Sequence, residues 1–170
     1  MIGKFCLDAN ILIASWNQIY PENTFPSLWE ELAKCQAEII LIKPIYEQID
    51  PMSQDDRNKS DAEKRKKYPL RMWLIENYFE GVSIDNDVEE ISLKMEREYE
   101  ITDTSKGADH NDIKLIAYAK VKQKTVVTFE GEQSNKPAEK SNYKIPLICY
   151  EQEVECMKFT DMLKHLGIRI

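Results

Sequence analysis

Apolar and polar positions fall along this chain in short blocks that read alternately as strands and helices. The first block, residues 2–13 (IGKFCLDANILI), is cut at Asp8; Ala9 and Asn10 follow, and a second apolar run begins. That layout predicts a buried strand delivering one carboxylate to a helix start. Residues 38–42 are almost continuously apolar, as expected of a strand covered on both faces in a parallel sheet. Pro44 suits the first turn of a following helix, where its missing N–H leaves nothing unpaired. Residues 125–128 are β-branched throughout and predict a third strand, with Glu130 just beyond its end.

Helical spacing fills the intervals. Residues 25–35 predict a helix with Leu28, Trp29 and Leu32 inward and Ser27 with Glu30 as a capping box. Residues 70–79 place Leu70, Trp73, Leu74 and Tyr78 on one side. Residues 87–99 turn Val88, Ile91 and Met95 inward behind an Asn86/Glu89 capping pair, and 112–120 carry Leu115, Ile116 and small alanines suited to close packing on a sheet. Residues 159–166 predict a last helix closed by Gly167. Short strands are expected at 81–84 and at 145–149, the latter at a sheet edge because of Pro146. The alternation predicts an α/β fold with a mainly parallel central sheet.

Length changes this picture little: 170 residues with 42% hydrophobic content suit a single domain spanning 1–170. No apolar run approaches the ~20 residues of a membrane span, and Asp8 interrupts the N-terminal run too early for a signal peptide. The expectation is a soluble cytoplasmic protein with no membrane partner. Cys6, Cys35, Cys149 and Cys156 lack metal-like pair spacing and read as free thiols in apolar or helical settings.

Charge changes the picture more. A net charge of −7 argues against a general nucleic-acid coat. Residues 57–71 nevertheless hold seven basic side chains (Arg57, Lys59, Lys64, Arg65, Lys66, Lys67, Arg71) against two acids, Asp61 and Glu63. The charged segment 55–68 has no apolar periodicity and reads as a flexible or solvated stretch, with a phosphate-binding surface as the other reading. Residues 131–142, with Lys136, Pro137 and Lys140, read as a mobile surface loop.

Three strand ends or strand-to-helix positions carry acids, namely Asp8, Glu47 and Glu130, and Asp112 starts the helix between them. Open α/β sheets gather ligands where strands end. Clustered carboxylates repel and raise one another's pKa, an arrangement without structural benefit unless a cation compensates. Hard oxygen donors point to Mg²⁺ or Mn²⁺. Helix capping by Asp8 is the competing account; the helix start Asp109-His110-Asn111-Asp112 makes Asp109 an alternative ligand, but spacing to Thr128 favours Asp112 and leaves Asp109 as the N-cap with Asp112 in the capping-box position.

Taken in order, Leu7-Asp8-Ala9-Asn10, Tyr46-Glu47-Gln48-Ile49, and residues 112–119 (DIKLIAYA) running on to Val126-Val127-Thr128-Phe129-Glu130 resemble the PIN domains, metal-dependent nucleases that include the VapC-like toxins of toxin–antitoxin pairs. Ala14-Ser15-Trp16, Tyr20-Pro21, Phe25-Pro26-Ser27-Leu28-Trp29 and Ile145-Pro146 extend the likeness over most of the chain outside 55–68, as a less characterised PIN-like subfamily. The last acid is Glu130 where the family more usually has Asp.

The resemblance implies a three-layer α/β/α domain and an endoribonuclease leaving a 5′-phosphate. Asp8, Glu47, Asp112 and Glu130 would be its catalytic and metal-holding acids, with Mg²⁺ or Mn²⁺ as cofactor. Asn10 and Thr128 would orient carboxylates or a water; the plainer alternatives are a local backbone hydrogen bond for Asn10 and an ordinary strand position for Thr128. Lys64, Arg65, Lys66, Lys67, Arg71, Lys136 and Lys140 are the candidate RNA contacts. The implied partners are an RNA substrate, a cognate antitoxin and, by analogy, a second copy of the chain.

Two other readings stay open: a non-catalytic PIN-like binding module and a housekeeping RNA-processing nuclease. A haloacid-dehalogenase-type hydrolase also begins with an aspartate after strand one, but that chemistry wants a second aspartate where this chain has Asn10.

Overall fold

The computed structural model describes residues 3–170. Its strands are β1 (Phe5–Leu7), β2 (Ile39–Ile42), β3 (Gly81–Val82), β4 (Thr125–Thr128) and β5 (Cys156–Lys158). They form one all-parallel sheet in the order β3-β2-β1-β4-β5. β1, β2 and β4 are buried along their whole length, which is why they read as apolar runs without alternation. Phe5 is in register with Ile39 on one side and Thr125 on the other. The β1–β4 ladder runs one residue further, the Asp8 N–H donating to the Val127 carbonyl at 3.0 Å. Asp8 is therefore fixed by the sheet as well as by the helix it opens.

Helices cover the sheet, giving the α/β/α arrangement. Helix α1 (Ala9–Ala14) follows β1 directly and passes into a π-helical turn at Ser15–Ile19. Helix α2 (Pro26–Lys34) buries Leu28, Trp29 and Leu32, as its spacing predicts. The Trp29 ring stands 4.8 Å from Trp16 and 5.1 Å from Trp73, and Trp73 stacks on Phe79 at 5.3 Å. This aromatic block joins the π turn and α2 to α5 (Pro69–Glu76). Helix α3 (Lys43–Gln48) begins at the end of β2 with Pro44 in its first turn. Helices α6 (Asn86–Glu98) and α7 (His110–Lys122) pack on one another, and α9 (Phe159–His165) closes the chain before Gly167 at φ +73°.

Several expectations are corrected. Residues 145–149 are not a strand: Ile145–Glu151 is helix α8, with Pro146 in its first turn, where a fixed φ and a missing N–H are both tolerated. The last strand is β5, two half-covered residues and an exposed one at the sheet edge, too short to leave an apolar run. Neither expected capping pair forms. α2 starts without a side-chain cap, and α6 is capped one residue earlier, by Asp85 Oδ1 accepting from the Val88 N–H at 3.1 Å. Asp85, Asn86 and Asp87 are all good caps, and sequence alone does not rank them. Tyr78 lies beyond the end of α5 at φ 62° and is 82% exposed, so it does not share the buried side of Leu70 and Leu74.

Segment 55–68 is also more ordered than its composition suggests. Residues Asp61–Lys67 form α4, a helix with no buried residue, opened by a Ser60/Glu63 capping box. The 131–142 loop, expected to be mobile, is tied at its end. The Gln133 side chain donates to the Asn142 carbonyl at 3.0 Å and accepts from the Lys144 N–H at 2.7 Å. Among the described residues, no helix is long and apolar enough to cross a membrane.

Candidate functional site

The site is built where β1 and β4 end side by side. The Asp8 backbone is extended and its Oδ1 accepts from the Asn10 N–H at 3.4 Å, so Asp8 does cap α1. Its other oxygen, Oδ2, accepts from the Thr128 hydroxyl at 3.3 Å. Thr128 is buried and in turn accepts from the Glu130 N–H at 3.1 Å, which makes its one hydroxyl the joint between the first acid and the last. Asn10 contributes its backbone amide, while its side chain is exposed.

Helix α7 brings the next acids. Asp109 Oδ1 accepts from the Asp112 N–H at 2.8 Å, and Asp112 Oδ2 accepts from the Asp109 N–H at 3.0 Å, the reciprocal box that the spacing predicts. Asp109 is exposed and Asp112 half-buried.

Electrostatics show which acids act on Asp8 and Asp112. Burial, then the Glu130 and Asp109 charges, push Asp8 up to about 6, against the lowering effect of its bonds to Asn10 and Thr128. Burial, then the charge of Asp8, push Asp112 up to about 8, with Asp109 and Glu130 adding to it. No lysine or arginine is among the groups acting most strongly on either. Asp8, Asp109, Asp112 and Glu130 are thus one mutually repelling set.

Glu130 is held back from full engagement. Its Oε2 accepts from the Ile145 N–H at 2.8 Å, so the first turn of α8 holds its carboxylate. Glu47 stands apart from the set. It lies on the exposed side of α3 with the Lys43 ammonium 4.0 Å away, although α3 packs against both α1 and α7. Asp50 is engaged elsewhere, accepting from the Leu70 N–H at 3.0 Å at the start of α5.

Among the described residues, no three His, Cys, Asp or Glu side chains converge closely enough to hold an ion as they stand. The donor chemistry nevertheless fits a hard, hydrated cation. Mg²⁺ commonly binds through one or two carboxylates and keeps several waters, and Asp8 and Asp112 are two carboxylates whose strongest influences include no positive charge. Glu130 could join by leaving the Ile145 amide.

Beside Thr128 and Glu130 a cleft of about 510 Å³ opens, lined also by Gln133, Leu147, Tyr150 and Lys158. Tyr150 is 81% exposed. Sequence reasoning missed the Ile145 amide and this wall, because both depend on α8 being a helix. The Ile145-Pro146 pair was the available signal, since proline in a first turn announces a helix start.

The expected RNA contacts are largely engaged. Lys59 and Lys67 bind Asp56 at 2.7 and 2.5 Å, and the Tyr68 hydroxyl donates to the same carboxylate at 2.6 Å. These three donors hold Asp56 well below the usual carboxylate range. Asp56 lies one residue before the basic stretch that begins at Arg57, so the apparent surplus there is partly neutralised from just outside it. Lys64 pairs with Asp61 at 3.4 Å and Arg65 with Glu76. Arg71 donates to the Ile49 and Tyr46 carbonyls at 2.9 and 2.7 Å and lies over the Tyr46 ring, a structural post for the end of α3. Lys136 binds Glu151 at 2.8 Å and Lys140 lies over the Tyr99 ring. Lys66 forms no ion pair among the described residues.

His110 is a tie between helices rather than part of the acid set. Its Nδ1 is 2.8 Å from Glu96 Oε1 on α6, and that hydrogen bond raises its pKa.

No curated protein matches the chain. A family model described as "Domain of unknown function (DUF4411)" matches residues 5–170, the whole of the sheet and its helices, and the chain belongs to that family.

Proposed function

We propose that this protein is a Mg²⁺- or Mn²⁺-dependent endoribonuclease of the PIN kind. The observation that carries the reading is the Asp8/Asp112 pair: two carboxylates at the carboxyl edge of a parallel sheet, both raised by burial and by neighbouring acids, Asp112 by Asp8 itself, with no cation of the protein among their strongest influences.

Asp8 and Asp112 would hold the ion. Thr128 keeps the Asp8 carboxylate turned into the site through Oδ2, and the Asp109 N–H fixes one oxygen of Asp112. Glu130, released from Ile145, would supply a third carboxylate or accept a proton from a water. Glu47, exposed on α3, would reach the ion through its waters. The bound ion would lower the pKa of a coordinated water and polarise a phosphoryl oxygen. The adjoining cleft would receive the strand, with the exposed Tyr150 ring as a platform for a base and Lys158 for a phosphate.

The biological role that accords with this chemistry is the toxin of a type II pair, held inactive by an antitoxin that covers the acidic cleft. A second copy of the chain is the further partner proposed.

The test is cleavage of defined RNAs by pure protein in Mn²⁺, Mg²⁺ and EDTA, beside Asp8→Asn and Asp112→Asn. The reading expects cutting only with metal and a loss of roughly 100-fold or more in each variant. Cutting that survives EDTA, or equal rates in all three proteins, overturns it. Induced expression should arrest growth; an active enzyme without arrest would make an RNA-processing nuclease the better account.

A further inference from the structure

Two thiols lie beside the cleft and play no part in the chemistry above. Cys149 is fully buried on α8, and Cys156, half-buried on β5, forms part of the cleft wall. The chain reverses between them in a tight connection in which the Val154 N–H donates to the Cys149 carbonyl at 2.8 Å, and α8 packs directly on β5. Each thiol is the strongest influence on the titration of the other. Cys6 lies deep in β1 and Cys35 after α2, outside this pairing.

We propose that Cys149 and Cys156 form a reversible dithiol–disulfide pair, oxidised by a hydroperoxide entering through the cleft. Cys156 is the reacting thiol because the cleft reaches it, and Cys149 is the resolving thiol because it waits behind on α8, packed on β5 and shielded from solvent. Cys149 also lowers the pKa of Cys156, while Cys156 and then burial raise Cys149, which divides the roles in the same sense.

The atoms balance in two steps. The Cys156 thiolate attacks one peroxide oxygen, the O–O bond breaks, and a sulfenic acid forms as hydroxide leaves. The Cys149 sulfur then attacks the Cys156 sulfur. The S–O bond breaks, the S–S bond forms, and the departing hydroxide takes the Cys149 proton as water. Two thiols are oxidised and one hydrogen peroxide becomes two waters. The resulting bond would clamp α8, whose Ile145 amide holds Glu130, against β5.

The experiment is independent of nuclease activity. Reduced full-length protein is treated with hydrogen peroxide, blocked with N-ethylmaleimide under denaturing conditions and mapped by mass spectrometry. The expected result is a crosslinked Cys149–Cys156 peptide, reversed by dithiothreitol and formed about tenfold faster than any oxidation of Cys35. Cys149→Ser should instead leave a sulfenic acid at Cys156 that dimedone traps. The inference fails if Cys35 oxidises first in the wild type, or if peroxide carries Cys156 to sulfinic acid with Cys149 still free. The wild-type map decides the matter even if the variant does not fold.

Discussion

Asp109 and Asp112 exchange hydrogen bonds across the first turn of α7, each backbone N–H donating to the other's carboxylate, while the Asp112 carboxyl is also pressed against the charge of Asp8. One side chain thus closes a helix cap and opposes a like charge. Asp112→Asn keeps an oxygen that can accept from the Asp109 N–H and removes the repulsion. It is expected to abolish cleavage and, in EDTA, to raise stability by about 1–3 kcal/mol, or several degrees in Tm. Differential scanning fluorimetry with and without Mg²⁺ checks this; a lower Tm in EDTA would mean that the cap outweighs the repulsion.

The pH dependence follows from the same pair. Asp8 and Asp112 titrate near 6 and 8 in the folded chain, against an ordinary value of 3.8. Between these limits the folded state binds more protons than the unfolded, so stability falls as pH rises from about 4 to about 8 and is level above that. His110, raised by Glu96, adds a loss in the same direction, so a His110→Gln variant serves as the control and should keep most of the slope. In EDTA the Tm should be lower at pH 8 than at pH 5, and Mg²⁺ should recover more of it at pH 8.

Thr128 has a narrower part. Thr128→Val keeps the buried shape and removes the hydroxyl that bridges Asp8 and the Glu130 N–H. A cost of about 1–3 kcal/mol is expected, with weaker binding of Mn²⁺ by titration calorimetry. Thr128→Ser should restore most of both.

Gly107 tests the support under α7. A methyl group built there would stand 2.2 Å from the Tyr143 carbonyl oxygen, and the Gly107 and Ala108 N–H groups donate to the Ser141 and Tyr143 carbonyls. Gly107→Ala should therefore push the segment before Asp109 off its seat, at about 1–3 kcal/mol by denaturant unfolding. An unchanged midpoint would show that the seat yields freely.

Salt offers a fifth measurement. With Lys64, Arg65, Lys67 and Lys136 in ion pairs and Arg71 on backbone carbonyls, Lys66 and Lys140 are the expected RNA contacts left for phosphates. The logarithm of RNA affinity should fall with that of salt at a slope of only about −1 to −2, against −0.7 for each phosphate contact on single strands. A steep slope would return the basic stretch to the binding surface.

The central strands and the Asp109/Asp112 box were legible because each rests on a local rule: continuous burial in β1, β2 and β4, and reciprocal caps three residues apart. The sequence misled where two local rules compete. Ile145-Pro146-Leu147-Ile148-Cys149 satisfies both an apolar strand and a proline-opened helix, and the tertiary packing of α8 decides. The surplus of the basic stretch reads larger than it is because a neutralising acid, Asp56, lies outside the window of like charge. Glu47 was placed with the other acids by order along the chain, which says nothing of side-chain direction; the structure leaves it on an exposed helix face.

The place of β1 at the middle of the sheet has a temporal side. Asp8 is synthesised long before the strand that fixes its N–H and the hydroxyl that orients its carboxylate, which belong to residues 125–128. A chain growing from its N-terminus holds the first acid long before it holds α7 or β4. The carboxylate pair is assembled only when β4 docks beside β1, a late, long-range event. Nascent fragments that end before β4 should bind no divalent cation at Asp8, so a metal site built on this carboxylate would form only once β4 has left the ribosome.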